Sequence, residues 1–323
     1  MSTLRRKLPS ASSLFVFEAA ARCGSFTRAA DELCVSQPAV SRMLSRLEEH
    51  LGVQLFERVR GGARLTESGS LLYRRVQEGF STIEAAISEI EARATGIETV
   101  TLSVSTAFTT HWLMPRMSRF SQRFPSVDMR YQLMSGRIGG PLVDVDLGMR
   151  YVDETSLKPS DIEVYPEITL PVCTPAYLTG VVQAPRAKTL PTLINMDTQE
   201  RSWTAPFTEP GRPENALVFS DYAVVVQAAL LGQGIALGWL NVVSHCLAQG
   251  QLLPATDGLR VTHRRCCLVV PGSRPLRPVV EQVRRWIIEE MRADLVQVDD
   301  LYPHLGLAKY LQSGDISIAE HTE

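Results

Sequence analysis

Five polar side chains in one short stretch of the sequence could bind DNA together. Gln37, Ser41 and Ser45 recur every four residues in SQPAVSRMLSR, and Arg42 and Arg46 lie beside them. Residues four apart share one face of an α-helix, so these side chains would project from a single surface. Amide and hydroxyl groups can hydrogen-bond to base edges, and guanidinium groups can bind phosphate. An ordinary helical hairpin can also carry such a polar face, so this stretch alone leaves both interpretations open.

A second group of polar residues lies where predicted strands lead into predicted helices. Ser105 and Thr106 follow VTLSV, and Ser220 and Asp221 follow ALVF. Hydroxyl groups and the free amides at a helix start can hold an anion at the positive end of the helix. Two such junctions facing one cleft would form a clamp for a small molecule. The alternative is that each residue only caps its own helix.

Two aromatic residues could line the same cleft. Tyr151 ends the predicted strand DLGMRY, from which it could form a side wall of the pocket. Trp239 ends the apolar strand GIALGW. For Trp239, packing in the core and contact with a ligand are equally consistent with the sequence.

The sequence contains no pattern typical of an enzyme. His111, His245 and His263 are isolated and have no nucleophile motif beside them. The glycines of LGQGIALG follow a helix and enter a strand, which is the reverse of the order in a dinucleotide-binding loop. The six cysteines show neither a disulfide framework nor metal-ligand spacing. We therefore expect no catalytic residue, no metal site and no cofactor.

Two predicted helices position the first group of polar residues. Ser25 is expected to cap a helix that ends near Cys34, and Ser36 to cap a second helix that ends at Gly52. Pro38 is tolerated in the first turn of the second helix, where the amides have no intrahelical partner. The apolar stripe of this second helix contains Val40, Leu44, Leu47 and Leu51.

A basic hairpin is predicted directly after the second helix. The segment VQLFERVRGGARLT has short apolar runs on both sides of two glycines, which is typical of two strands joined by a turn. It carries Arg58, Arg60 and Arg64. Two helices, a tight turn and a basic hairpin form the plan of a winged helix-turn-helix, whose second helix enters the major groove.

The segment from residue 19 to residue 69 resembles the winged helix-turn-helix of the LysR-type transcriptional regulators. This resemblance implies that DNA is contacted at the start of the second helix and on the wing, which here is the basic hairpin. The corresponding positions here are Ser36, Gln37, Pro38, Ser41, Arg42 and Arg58. Arg46 joins this set because it lies on the same helical face.

A long helix is predicted after the hairpin, with Thr66 as its cap. Its apolar residues recur every three or four positions and comprise Leu72, Val76, Phe80, Ile83, Ile87 and Ile90. A helix of about 28 residues is roughly 40 Å long, which exceeds what a small domain needs to cover itself. The stripe could pack on its own domain or pair with a second copy. The family resemblance favours a dimerising linker.

Residues 97–295 alternate predicted strands and helices, which indicates an α/β domain with a largely parallel sheet and two lobes. The segments STAF, WLMPR, DLGMRY and QAALLGQGIAL resemble the effector domain of the glycine-cleavage-activator branch of the family. The resemblance implies the fold of a periplasmic binding protein, with two subdomains and a cleft. Residues from 296 continue beyond the usual end of the family. They could form a loose appendage, or one short docked helix supported by Leu301, Leu305, Leu307 and Leu311.

The composition is compatible with a soluble protein of two domains, with 45% hydrophobic and 21% charged residues among 323. The net charge of −2 divides into +4 over residues 1–66 and −6 over the remainder. A basic N-terminal module suits contact with phosphates. The N-terminal residues MSTLRRKLPSASS lack the apolar core of a secretory signal, and no membrane span is visible. We therefore expect a cytoplasmic protein.

The sequence thus predicts a transcriptional regulator that binds promoter DNA and responds to a small metabolite, such as an amino acid, another zwitterion or a carboxylate. The predicted fold combines α and α/β parts. The predicted domains are the winged helix-turn-helix over 1–66, the linker helix over 67–96, the effector domain over 97–295 and an unassigned extension over 296–323. The resemblance implies dimers formed by linker helices and tetramers formed by effector domains. An enzyme or solute-binding protein fused to a DNA-binding head, and an architectural DNA binder without a ligand, are the open alternatives.

Overall fold

The computed structural model describes most of the chain. The described residues are 10–59, 62–134, 142, 145–183, 190–197, 201–208, 215–271 and 276–310. The chain divides into two compact units inside the long helix, between Ile90 and Glu91. This division falls within the predicted linker helix.

The first unit contains three short helices, a hairpin and most of a long helix. Its elements are α1 (Ser12–Cys23), α2 (Phe26–Glu32), α3 (Gln37–Leu51), β1 (Phe56–Val59), β2 (Gly62–Leu65) and α4 (Glu67–Thr95). β1 and β2 pair antiparallel, with Phe56 opposite Leu65. This is the predicted order of a winged helix-turn-helix followed by a linker helix.

Local interactions set the ends of α2 and α3. The Ser25 hydroxyl accepts a hydrogen bond from the Arg28 amide at 3.4 Å, as predicted for an N-cap. Gly52 ends α3 with φ of 68°, a left-handed conformation that favours glycine. The prediction for Ser36 was only partly correct. Ser36 occupies the N-cap position of α3, but its hydroxyl makes no capping hydrogen bond.

The apolar stripe of α3 forms the centre of a small core. Val40, Leu44 and Leu47 are buried, together with Phe17 of α1 and Leu55 before β1. Burial of these side chains fixes the rotation of α3 about its own axis. The opposite face of the helix therefore points outward. The core therefore orients the polar face of α3.

The stripe of α4 changes environment along the helix. Thr66 caps α4 by accepting a hydrogen bond from the Gly69 amide at 3.0 Å. Leu72, Val76 and Phe80 pack against the core of the first unit. Further along the same stripe, Ile83, Ile87 and Ile90 are 57%, 50% and 67% exposed. The first half of the stripe thus packs within its own domain, and the second half is uncovered in the single chain.

The second unit is an α/β domain. Its strands are β3 (Glu98–Ser105), β4 (Val127–Met134), β5 (Leu147–Asp153), β6 (Ile162–Cys173), β7 (Thr192–Met196), β8 (Asn215–Phe219), β9 (Ile235–Trp239), β10 (Leu253–Pro254) and β11 (Arg260–Val269). Its helices are α5 (Thr106–Phe108), α6 (Met117–Arg123), α7 (Pro175–Gln183), α8 (Tyr222–Leu230), α9 (Leu240–Ala248) and α10 (Pro278–Leu301). Short 3₁₀ turns cover Glu154–Ser156, Arg201–Phe207, Pro303–Leu305 and Ala308–Tyr310.

The strand order is β4-β3-β5-β11-β6-β9-β7-β8, with β10 paired to β6. It contains two sets of three parallel strands, β4-β3-β5 and β9-β7-β8, here called trios. The two long strands β11 and β6 join them. β3 pairs parallel with β4 and β5, and β7 pairs parallel with β8 and β9. The joining strands β6 and β11 pair antiparallel with each other and with the trios. The expected largely parallel sheet was therefore wrong, and the sheet is mixed. The polar start of β11, RVTHRR, hid this joining strand from a search for apolar runs.

The predicted helix after β3 is broken. A π-helical turn over Thr109–Leu113 and a 3₁₀ turn over Met114–Arg116 separate α5 from α6. Pro115 lacks the amide hydrogen that a continuous α-helix needs. The single turn that starts at Thr106 therefore offers a weaker dipole than the continuous helix that the sequence suggested.

A buried charge cluster ties this broken helix to α10. Both Asp294 carboxylate oxygens accept hydrogen bonds from Arg116 Nη2, at 2.5 and 2.6 Å. Asp294 Oδ2 also accepts from Trp112 Nε1 at 2.7 Å and from the Ser244 hydroxyl at 3.0 Å. Glu290 Oε2 lies 3.5 Å from Arg116 Nε. One carboxylate thus joins the broken helix, α9 and α10.

The chain after residue 296 is partly docked on the domain. α10 continues through this position to Leu301, and Leu305 and Leu307 are buried in the main core. Asp299 Oδ1 accepts hydrogen bonds from the backbone amides of Leu307 and Ala308 at 2.6 and 3.1 Å. The supporting role expected for Leu301 is wrong because its side chain is half exposed. Leu311 lies outside the described residues.

Among the described residues, no helix is both long enough and apolar enough to span a membrane.

Candidate DNA-binding and effector-binding sites

The start of α3 presents the residues proposed to contact DNA. Ser36, Gln37, Pro38, Arg42 and Arg46 are exposed. Within the described ranges, the side chains of Arg42 and Arg46 make neither a hydrogen bond nor an ion pair. Both guanidinium groups can therefore bind an external phosphate or base without first breaking an internal contact.

Ser41 and Ser45 differ in their exposure. Ser41 is half-buried and Ser45 is exposed. Part of the Ser41 side chain is therefore still accessible to a ligand. The α2–α3 turn passes through Cys34, whose φ of 54° is in the left-handed region.

The wing places its arginines in different surroundings. Arg64 Nε donates to Glu57 Oε1 across the hairpin at 2.8 Å, so this guanidinium already has a partner. Arg58 pairs with Ala63 in the strand register. The side chain of Arg58, and Arg60 as a whole, lie outside the described residues.

The two parallel trios of the second unit direct their carboxyl ends toward each other. β5 and β6 each run antiparallel to β11, so they share one direction, whereas β9 runs antiparallel to β6. Tyr151 is level with Tyr165 on β6, because both pair with Cys266, and Trp239 is level with Thr169. Four residues of strand separate these levels, which is about 13 Å. The carboxyl ends of the two trios thus face each other along β6 and β11.

The predicted junction residues lie at these facing ends, but two of them already have partners. The Ser105 hydroxyl accepts from the Phe108 amide at 3.0 Å, and Asp221 Oδ1 accepts from the Ala223 amide at 2.8 Å. Each of these residues therefore caps its own helix. Thr106 and Ser220 make no side-chain hydrogen bond within the described part of the chain. Their hydroxyls are the ones that remain available.

The two junctions meet through His111. α5 packs against α8, and His111 Nε2 lies 3.1 Å from the carbonyl oxygen of Ala223, in the first turn of α8. Burial lowers the pKa of His111, so the ring is neutral near pH 7. His111 is buried and links the first junction to the second.

Tyr151 and Trp239 are each held by a hydrogen bond. The Tyr151 hydroxyl donates to Asn241 Oδ1 at 2.6 Å, and burial raises the pKa of Tyr151 well above its usual value. Trp239 Nε1 donates to Glu167 Oε1 at 2.8 Å. The Trp239 ring also packs edge-on against Tyr222, with centroids 4.9 Å apart. Both aromatic side chains are therefore fixed at the edges of the cleft.

The sequence did not single out Glu167, Asn241 or Arg264, which lie among these aromatic residues. Arg264 Nη2 donates to the Tyr151 carbonyl oxygen at 3.1 Å. A charged residue within the apolar strand EITLPVC was a usable signal for Glu167, because a strand buried on both faces rarely carries an unpaired carboxylate. Only the strand register could reveal Arg264.

The glycines, His263 and the cysteines considered in the sequence analysis have different surroundings. Gly232 has φ of 68° after α8, and a Cβ at Gly234 would collide with the carbonyl oxygen of Thr192. His263 is exposed and lies 3.0 Å from Asp153. Four of the six cysteines, at positions 173, 246, 266 and 267, are buried with free thiols. No cluster of His, Cys, Asp and Glu that could hold a metal ion occurs among the described residues.

Both parts of the chain match known families. Residues 12–70 match the family described as "Bacterial regulatory helix-turn-helix protein, lysR family", and residues 94–292 match the "LysR substrate binding domain". The chain belongs to the LysR family of bacterial transcriptional regulators. It is 34% identical to the glycine cleavage system transcriptional activator of Escherichia coli K12 over 298 residues, which cover 90% of this chain and 97% of that protein.

Another relative, the transcriptional activator AmpR of Rhodobacter capsulatus, is 30% identical over 85% of this chain and 95% of its own length. These relatives are named as activators and regulators, so this LysR-family protein is a DNA-binding transcriptional regulator and not an enzyme. The full-length LysG regulator from Corynebacterium glutamicum, solved with bound arginine, shares its fold. That structure has a TM-score of 0.53 and 16% identity, and covers 87% of this chain and 97% of its own.

Proposed function

We propose that this LysR-family regulator contacts promoter DNA through the start of α3 and through the wing. The contacting residues are Ser36, Gln37, Pro38, Ser41, Arg42, Arg46 and Arg58. Support comes from the exposed arginines of α3, which have no partner within the described residues. A phosphate or a guanine edge would satisfy donors that are otherwise left to water.

The effector of this regulator is a small anion or zwitterion held between the two parallel trios. The observation that carries this proposal is the facing arrangement of the carboxyl ends, with the hydroxyls of Thr106 and Ser220, unpaired among the described residues, on the two sides. Tyr151 and Trp239 form the walls, while Ser105 and Asp221 shape the two junctions by capping them. Arginine is bound by a relative of the same fold, which is compatible with this ligand class.

The working form is an oligomer. Dimers form through the exposed half of the α4 stripe, and tetramers form through effector domains. The domains are the DNA-binding head over 1–66, the linker over 67–96, the effector domain over 97–295 and the extension over 296–323. The α4 stripe supports the linker assignment because its first half is covered internally and its second half is not. A cytoplasmic location follows from the need to reach promoter DNA.

Alanine at Thr106 or Ser220 tests the effector site. Loss of one hydroxyl that binds a charged group costs about 1.5 to 3 kcal/mol, so each variant should bind the effector about 10 to 150 times more weakly. A thermal-shift screen of amino acids, betaines and short carboxylates identifies a ligand, and calorimetry then measures each variant. Ser118→Ala, on an exposed face of α6, serves as the control. Equal affinity in all three variants would place the pocket elsewhere.

A further inference from the structure

An arginine and a buried carboxylate lie between the facing ends of the two trios. The register of β11 against β6 shifts between Val261 and Arg265, so Arg264 falls in an irregular segment. Glu167 on β6 lies midway between the levels of Tyr151 and Trp239. Such irregularities in a strand often redirect a side chain beside a functional site.

Glu167 is fixed by its neighbours on both oxygens. Its Oε1 accepts from Trp239 Nε1 at 2.8 Å, and its Oε2 accepts from the Thr262 hydroxyl at 2.8 Å. The side chain is only 7% exposed. A buried carboxylate that is held in this way is a fixed negative charge beside the cleft.

Arg264 is held on its inner side and open on its outer side. Its Nη1 lies 3.8 Å from Glu167 Oε2, and its Nη2 donates to the Tyr151 carbonyl oxygen. Its Cζ lies 5.3 Å from the centroid of the Tyr151 ring. The side chain is nevertheless 36% exposed, and four of its five N–H groups make no hydrogen bond within the described residues. The guanidinium is thus positioned in advance, with free donors.

We propose that Arg264 binds the carboxylate of the effector, and that Glu167 is a positioning residue that holds the guanidinium in place. This inference rests on the proposed function, and it narrows the effector to molecules with a free carboxylate. Planar guanidinium and carboxylate groups can form two parallel hydrogen bonds. Thr106 and Ser220 then contact the remainder of the molecule.

Arg264 also contacts one trio directly and the other through Glu167. Its guanidinium touches Tyr151 on β5, which belongs to one trio, and faces Glu167, whose other oxygen binds Trp239 at the end of β9 in the second trio. A carboxylate bound to the open side of Arg264 would therefore lie where groups from both trios meet.

Matched ligands and matched variants test this inference on the full-length protein. Standard L-amino acids and succinate are compared by calorimetry with their carboxamide counterparts, which keep the shape and lose the negative charge. Wild-type protein should bind at least one acid and should bind its amide at least about tenfold more weakly. Arg264→Gln should weaken binding of the acid about 10- to 100-fold and remove its preference over the amide. Arg265→Gln, the same charge change on the adjacent residue, should bind as wild type does.

Two further variants separate positioning from folding. Arg264→Lys keeps the positive charge but loses the planar guanidinium that can bind both carboxylate oxygens. We therefore expect the affinity for the acid to fall about tenfold with an unchanged melting temperature. Glu167→Gln should reduce the preference for acid over amide, and should cause no further loss when combined with Arg264→Gln. If the losses of affinity in the two single variants added up in the double variant, Glu167 would not act through Arg264 and the positioning role would be wrong.

Each failure has a distinct meaning. Arg264→Gln with wild-type affinity, or amides that bind as well as acids, would overturn the role of Arg264. If Thr106→Ala still weakened binding in that case, the proposed effector site would stand. Absence of binding by every acid and every amide would overturn both the proposed effector class and this inference.

Discussion

We expect aspartate at both Ile83 and Ile87 to dissociate the oligomer of this LysR-family protein. These residues lie on the uncovered half of the α4 stripe, where they are 57% and 50% exposed in the single chain. In a dimer through this stripe, each aspartate would bury a charge without a counter-ion, at a cost of several kcal/mol. Sedimentation velocity should show a shift to species of half the wild-type mass at micromolar concentration.

The control for this experiment is Thr82→Asp, an exposed position beside the stripe on the same helix. This substitution adds a charge to α4 outside the apolar stripe, so the sedimentation profile of the variant should match that of the wild type. Circular dichroism should show the same helix content in both variants. An unchanged profile for the Ile83 and Ile87 variant would mean that these residues do not form the dimer contact.

Alanine at Asp294 should cause the largest loss of stability. This carboxylate accepts hydrogen bonds from Arg116, Trp112 and Ser244 in a buried cluster. Among the described residues, its removal leaves Arg116 with a single carboxylate partner, Glu290 at 3.5 Å. Breaking a buried ion pair by removing one partner costs about 3 to 5 kcal/mol.

Urea denaturation followed by tryptophan fluorescence measures this loss, since Trp112 belongs to the cluster. Asp300→Ala is the matched control because Asp300 lies exposed on the same helix. Its free energy of unfolding should stay within about 0.5 kcal/mol of wild type. A change below about 1 kcal/mol for Asp294→Ala would show that the cluster contributes little to holding α10 on the domain.

The sequence was sufficient to predict the DNA-binding unit because its signals are local. Caps such as Ser25 and Gly52, and the period of the α3 stripe, depend on residues close in the chain. The capping bond predicted for Ser36 did not form, because an N-cap position does not determine where a hydroxyl points. Which part of the α4 stripe is covered also depends on tertiary packing, so the sequence could not separate Val76 from Ile87.

The effector unit was harder to predict because its cleft depends on strands that are distant in sequence. The junctions at Ser105 and Asp221 were visible as strand-to-helix transitions. Their side chains turned out to cap their own helices, which was the alternative that the residues left open. Arg264 and Glu167 are separated by almost a hundred residues, and only the register of β11 on β6 brings them together. No local pattern encodes that register.

The most direct test of this account measures DNA binding by the α3 face. A gel-shift titration should use a promoter fragment that the wild type binds specifically, at fixed salt, with wild type and with Gln37→Ala and Arg42→Ala. Each base contact is worth about 1 to 3 kcal/mol, so each variant should lose about 5- to 150-fold in specific affinity and keep its melting temperature. Ser10→Ala, exposed and before α1, should bind as wild type does. Wild-type affinity in both α3 variants would contradict the assignment of this face to DNA.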